Sequence, residues 1–151
     1  MNKPIRILIV DDEESIRIAT AAILEEKGYA VDTAANGKEA IEKSNANLYN
    51  IALIDYRLPD MEGTELLASL RETTPKMVKI MVTGYPSLQN AVTSVNKGAD
   101  AFLMKPVSME TLLKTLNDLL RRQEEDEKYS EERVAEFIET KLRKLEERIP
   151  S

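Results

Sequence analysis

Short apolar runs alternate with stretches of helical period along most of the chain. Residues 5–10 (IRILIV) form a mostly apolar, β-branched run, the pattern of a strand buried on both faces. From residue 14 to 27 the period turns helical, with Gly28 as its C-terminal stop. In that helix Ile16, Ile18, Ala19, Ala22 and Ile23 are expected to face inward. The rhythm then repeats: strand 30–33, a short helix 37–43 after Asn36, and strand 51–54 ending at Asp55. A helix at 64–72 and a strand at 78–82 ending at Thr83 follow. Last come a helix at 87–97 stopped by Gly98, a strand at 101–104 leading to Lys105–Pro106, and a final helix that Ser108 is placed to cap.

Five β–α units in strict alternation predict an α/β domain with a parallel sheet covered by helices on both faces. Right-handed crossovers and short loops leave few ways to wind it. No internal repeat and no Gly/Pro-rich linker interrupts the first 120 residues, so residues 1–122 are expected to form one domain.

Residues 123–151 differ in character. Between 124 and 149 there are ten Asp/Glu and six Lys/Arg, a local balance of −4. Val134, Ile138, Leu142, Leu145 and Ile149 recur at spacings of four, four, three and four, an amphipathic stripe about two heptads long. The extension is expected to be a helix, with a possible new start at Ser130 before Glu131 and Glu132. Its function is expected to be a coiled coil, as a homodimer or with a partner protein. The alternatives are a solvated continuation of the last helix and a helix folded back on the domain.

Composition narrows the chemistry. The 151 residues contain no cysteine and no histidine, which removes disulfides, thiolate zinc sites, imidazole ligands and the usual general base. Any metal must therefore be a hard cation held by oxygen, Mg²⁺ first and Mn²⁺ as the alternative. A net charge of −6, and a tail without a basic recognition helix, argue against direct DNA binding. No apolar run is long enough for a membrane span and the start lacks a signal peptide's apolar core, so a cytoplasmic setting is the expectation.

Ligands of open parallel sheets sit outside the carboxyl ends of the strands. The predicted ends carry Asp11 and Asp12, Asp55, Thr83 and Lys105. Singly, each has an ordinary role: a helix cap, a turn starter before Pro59, a capping hydroxyl, a solvated ammonium. All five at matching strand ends instead point to one site. Three close carboxylates repel one another, and Mg²⁺ relieves that repulsion while keeping coordination positions for waters and a phosphoryl oxygen. Lys105 supplies a compact cation and Thr83 a hydroxyl donor. The set suits transfer of a phosphoryl group to a carboxylate.

Four segments in this order, ILIVDDEESIR (7–17), LIDYRLPDMEG (53–63), MVTGYP (81–86) and GADAFLMKP (98–106), closely resemble the receiver domain of two-component response regulators. The resemblance implies a doubly wound, flavodoxin-like sheet of order 2-1-3-4-5. It implies that Asp55 is the phosphoacceptor, Asp12 a direct Mg²⁺ ligand and Asp11 a ligand through water. The backbone carbonyl of Arg57 would be a further ligand. Thr83, the amide of Gly84 and Lys105 would bind phosphoryl oxygens, and Thr83 with Phe102 would form the switch. It further implies a cis bond at Lys105–Pro106 and a turn glycine of positive φ at Gly63. Arg57 and Tyr85 would border the path of an attacking water. The chain departs from the family at Glu62, where Asp or Asn is common, and at Phe102, where Tyr would carry a hydroxyl.

The implied partners are a sensor histidine kinase or phosphotransfer protein upstream and a downstream protein. Such a chain is not a dedicated enzyme; it slowly hydrolyses its own aspartyl phosphate. Without an output domain in these 151 residues, it acts as a stand-alone receiver or as the receiver of a longer regulator. A haloacid dehalogenase-type hydrolase wants an Asp two residues after the nucleophile, and Arg57 stands there.

Overall fold

The computed structural model describes residues 4–73, 76–84 and 87–148. Five strands, β1 (Arg6–Val10), β2 (Ala30–Ala34), β3 (Ile51–Asp55), β4 (Val78–Thr83) and β5 (Ala101–Met104), alternate with five helices. These are α1 (Glu14–Glu26), α2 (Gly37–Ala46), α3 (Gly63–Ser69), α4 (Leu88–Asn96) and α5 (Met109–Arg148). All strand pairs are parallel and the order is β2-β1-β3-β4-β5, as expected.

The twofold alternation of strand side chains builds two cores. Ile7, Ile9, Ile51, Leu53 and Ile80 point to one face, where they meet Leu24 of α1 and Leu112, Leu116 and Leu119 of α5. Leu8, Val10, Ala52, Ile54 and Met81 point to the other, against Ala40 of α2 and Leu66 and Leu67 of α3. Each fully buried aliphatic side chain contributes about 1.5–3 kcal/mol. β3 is buried along its whole length because it has neighbours on both edges and helices on both faces. β2, at the sheet edge, is only partly buried except at Ala34.

Local signals account for the helix ends. Asn36 Oδ1 accepts from the Glu39 amide while Glu39 Oε2 accepts from the Ala35 amide, a reciprocal cap on α2. Ser87 and Ser108 cap α4 and α5 through the amides of Asn90 and Thr111. Gly28 and Gly98 take φ of 97° and 107° after α1 and α4, the left-handed stop only glycine adopts freely.

Three expectations are corrected. In α1, Ile18, Ala19 and Ala22 are exposed, Ile18 by 62%; Leu24 is the buried anchor, with Ile16, Thr20 and Ala21 partly covered. Apolar residues surround most of this helix, so its pattern did not fix the inward face. α3 ends at Ser69 rather than 72, because Leu70 turns extended and buries itself in the core. The buried Lys79 reaches the freed Leu67 carbonyl of that last turn, 3.3 Å away. Gly63 does not take a positive φ. It is required for closeness, since a Cβ there would lie 2.4 Å from the Asp55 carbonyl oxygen.

α5 is one helix of 40 residues with no new start at Ser130. Gln123 marks where it leaves the domain, donating to the carbonyls of Asn50 and Lys76 at 3.1 and 2.7 Å. Residues 124–147 beyond it are all exposed. This stretch projects roughly 36 Å at 1.5 Å per residue. Ile149, the last residue of the predicted stripe, lies outside the described residues. No helix among the described residues is long and apolar enough to cross a membrane.

Candidate functional site

Parallel register brings the ends of β1, β3, β4 and β5 to one edge. Val10 pairs with Ile54, Asp55 with Val82, and Thr83 with Met104. Asp11 continues β1, its amide donating to the Ala34 carbonyl, so its side chain is held 5% exposed over the edge. Asp55 is the last residue of β3 and 9% exposed. Lys105 follows β5; its amide donates to the Thr83 carbonyl at 2.7 Å and its peptide bond to Pro106 is cis.

The Lys105 ammonium stands 3.1 Å from Asp11 Oδ2 and 3.1 Å from Asp55 Oδ2, making two ion pairs. The other Asp11 oxygen accepts from the Glu13 amide at 2.9 Å. The exposed Asp12 makes no such contact, yet oxygens of Asp11, Asp12 and Asp55 all lie within 4.8 Å of one another. Burial pushes the Asp55 carboxyl above its ordinary value, and the Lys105 charge opposes that rise. Burial also works against the Lys105 charge, but Asp11 and Asp55 outweigh it and hold the ammonium more firmly protonated than usual.

Thr83 is 1% exposed at the end of β4, and Gly84 is exposed beside it. Arg57 is exposed and its amide lies 3.4 Å from Asp55 Oδ1. Phe102 pairs with Met81 across β4–β5 and packs, partly buried, against the core that contains Tyr56. Tyr85 lies outside the described residues. An apolar cleft of about 420 Å³ opens between α1 and α5, bounded by Ile16, Thr20, Asp55, Lys105 and Met109.

An all-oxygen, partly desolvated trio of carboxylates fits a hard divalent cation. It lacks the nitrogen and sulfur donors that a softer ion prefers.

Two positioning features escaped sequence reasoning. Asp60 accepts from the Gly37 and Lys38 amides, both at 2.9 Å, and so ties the β3–α3 loop to the start of α2. The Tyr56 hydroxyl donates to Asn90 Oδ1 at 3.1 Å, joining the residue after Asp55 to α4. Tyr56 was detectable only as the neighbour of Asp55, and Asp60 only as the acid of the LPD turn.

Carboxylates faced by one lysine, at the carboxyl edge of a 2-1-3-4-5 parallel sheet, define the CheY-like receiver class. The chain belongs to the response regulator receiver domain family, whose sequence profile matches residues 7–117. Its structure is similar to a CheY-like receiver domain protein from Methanospirillum hungatei JF-1. That match has 49% identity and a TM-score of 0.79, and covers 82% of this chain and 99% of the other. It also resembles the beryllofluoride-activated NtrC4 receiver domain dimer, with 39% identity, a TM-score of 0.73 and coverage of 78% and 98%. Among curated relatives, the transcriptional regulatory protein TrcR of Mycobacterium tuberculosis is 35% identical over 129 residues, 85% of this chain and 50% of that protein. The transcriptional regulatory protein GlrR of Escherichia coli is 31% identical over 150 residues, 97% of this chain and 33% of that one. The chain thus spans about half the length, or less, of these relatives.

Proposed function

We propose that the chain receives a phosphoryl group on Asp55 and uses it to switch protein–protein contacts. The observation that carries this reading is the Lys105 ammonium 3.1 Å from both Asp55 and Asp11, with Asp12 completing the acidic cluster. Asp11, Asp12, Asp55 and the Arg57 carbonyl would hold Mg²⁺, with Mn²⁺ as an alternative. When bound, the cation neutralises charge that builds on the transferring group.

The residues do the rest. Asp55 must be ionised to attack, and Lys105 works against burial to keep it so. An Asp55 oxygen forms the new bond to phosphorus as the donor's bond breaks, and the donor keeps that electron pair. Lys105, the Thr83 hydroxyl and the Gly84 amide then bind the phosphoryl oxygens. Thr83, drawn toward the group, vacates space that Phe102 fills. Chemistry of this kind makes the chain a substrate of its kinase rather than a dedicated enzyme, with slow loss of its own phosphoryl group.

The upstream donor is a sensor histidine kinase or phosphotransfer protein in the cytoplasm. Downstream, residues 1–122 act on a protein partner and residues 123–151 offer a helical partner surface; DNA is not read by these residues. The alignment with GlrR runs through the extension. This supports a second reading, in which the same receiver and helix serve a longer transcriptional regulator.

The test is labelling by acetyl phosphate with Mg²⁺, followed by mass spectrometry. One phosphoryl group on Asp55, absent from Asp55→Asn, is the expected result. Labelling of Asp55→Asn at the wild-type level overturns the assignment.

A further inference from the structure

The exposed end of α5 carries a stripe that nothing among the described residues covers. Val134, Ile138, Leu142 and Leu145 are each between 52% and 58% exposed. Because α5 is unbroken, the stripe does not fold back onto the domain that precedes it. Most helical stability in proteins comes from packing an amphipathic face, so the uncovered stripe calls for a partner. Its charges indicate which one.

Ile138, Leu142 and Leu145 occupy positions d, a and d of a heptad, with Ala135 at the preceding a. Lys141 then falls at g and Glu146 at the following e. In a parallel, in-register pair of identical helices, each g residue faces the e residue five positions on in its partner. Two Lys141–Glu146 pairs of opposite charge result, one on each side of the seam. An antiparallel pair instead sets g against g and e against e: Glu132, Glu139 and Glu146 fill every e position of the stretch, and Lys141 meets its own copy when Ile138 packs on Leu142. Upstream, the seam positions become Lys128 and Glu131, and Glu127 would face Glu132. The pairing is thereby confined to residues 134–146.

Geometry permits the same arrangement. At 100° per residue, the stripe is rotated roughly a quarter turn from Leu112, Leu116 and Leu119, the face packed on the sheet. A twofold axis along the seam therefore places the two domains on opposite sides of the helix pair. Val134 and Ile138 also border an open groove of about 750 Å³ beneath the domain, beside Thr73, Lys76 and Met77. The seam has free space at the point where it begins.

We propose that the occupant of this stripe is a second copy of the chain, bound in parallel and in register through residues 134–146. This deepens the partner surface proposed above and does not depend on phosphorylation. Labelling of Asp55 in the same samples tells a failure of the seam from a failure of the receiver reading.

The absence of cysteine makes the register readable. Residues at a meet a, and d meet d, only in a parallel in-register pair. Leu142→Cys and Leu145→Cys in the full chain should each oxidise to a covalent dimer, at least about tenfold faster than Glu136→Cys on the opposite side of the helix. Sedimentation over a concentration series supplies the second reading. Lys141→Glu and Glu146→Lys should each weaken the dimer about tenfold, and the double exchange should restore it to within about twofold. All these positions are exposed, so the fold of the domain is not at stake. A chain that stays monomeric throughout the series overturns the proposal. So do equal cross-linking at 136 and 142, and a double exchange no better than either single change.

Discussion

A Cβ on Gly63 would lie 2.4 Å from the carbonyl oxygen of Asp55. The same glycine donates its amide to the Tyr56 carbonyl at 2.6 Å, so the start of α3 is pressed against the strand end that carries Asp55. Backbone cannot yield as a flexible side chain would. Gly63→Ala is therefore predicted to cost about 1–3 kcal/mol through overpacking. It should also slow labelling of Asp55 by acetyl phosphate, because the strand end must shift. Urea denaturation and labelling rates check both. Unchanged labelling in a destabilised variant would separate packing from the site.

The acidic cluster makes an ordered prediction for metal binding. Asp11 already uses one oxygen on the Glu13 amide and the other on Lys105, whereas Asp12 is uncommitted and exposed. Asp12→Ala should lose at least tenfold in Mg²⁺ affinity, about 1.4 kcal/mol, and Asp11→Ala less. Added Mg²⁺ should raise the melting temperature of the wild type by mass action and hardly that of Asp12→Ala. Calorimetric titration and thermal melts read the two effects. Equal losses would remove the distinction between the two acids.

Much of this was legible in the sequence, for identifiable reasons. β-Branched runs ending in Asp, Thr or Lys, and glycine stops at 28 and 98, located every strand and most helix ends. Because parallel strands bring their carboxyl ends together, Asp11, Asp12, Asp55 and Lys105 could be grouped before their distances were known. What was hidden depends on packing between distant elements. The inward face of α1 is chosen by what Leu24 meets, and the end of α3 by the hole that Leu70 fills. Gly63 was identified for the wrong reason, since contact distance leaves no trace in composition. The Asp60 bridge to α2 spans 22 and 23 residues, and the Tyr56 bridge to α4 spans 34.

A pH dependence follows from Asp60. The hydrogen bonds from Gly37 and then Lys38 hold its carboxyl below the ordinary carboxylate value. A carboxyl depressed by folding stabilises the native state above its unfolded value, and that contribution is lost as pH falls through the folded value. Wild type should therefore exceed Asp60→Ala in stability at pH 7, with the gap closing on acidification below the ordinary carboxylate range. Denaturation midpoints across that range test it. A gap that widens on acidification has the wrong sign for this account.

Tyr56 offers a way to uncouple the proposed receipt of a phosphoryl group from its proposed consequence. It is 8% exposed, follows Asp55 directly, and donates to Asn90 in the first turn of α4. Its ring packs in the core that Phe102 borders, so the aromatic proposed to move and its buried neighbour share a wall. Tyr56→Phe deletes only the hydroxyl and leaves the ring packing in place. Losing a half-buried hydrogen bond of this kind costs about 0.5–1.5 kcal/mol, enough to loosen α4 by about two- to tenfold in an opening equilibrium. Lys105, Asp11 and Asp12 are untouched, so labelling of Asp55 should stay within about twofold of wild type. Amide exchange in α4 should rise in the unphosphorylated protein, and beryllofluoride should then change it less than in wild type. Hydrogen-exchange mass spectrometry of residues 88–96 measures this. Equal exchange in both proteins would place the coupling elsewhere, and a collapse of labelling would show that Tyr56 serves the acceptor itself.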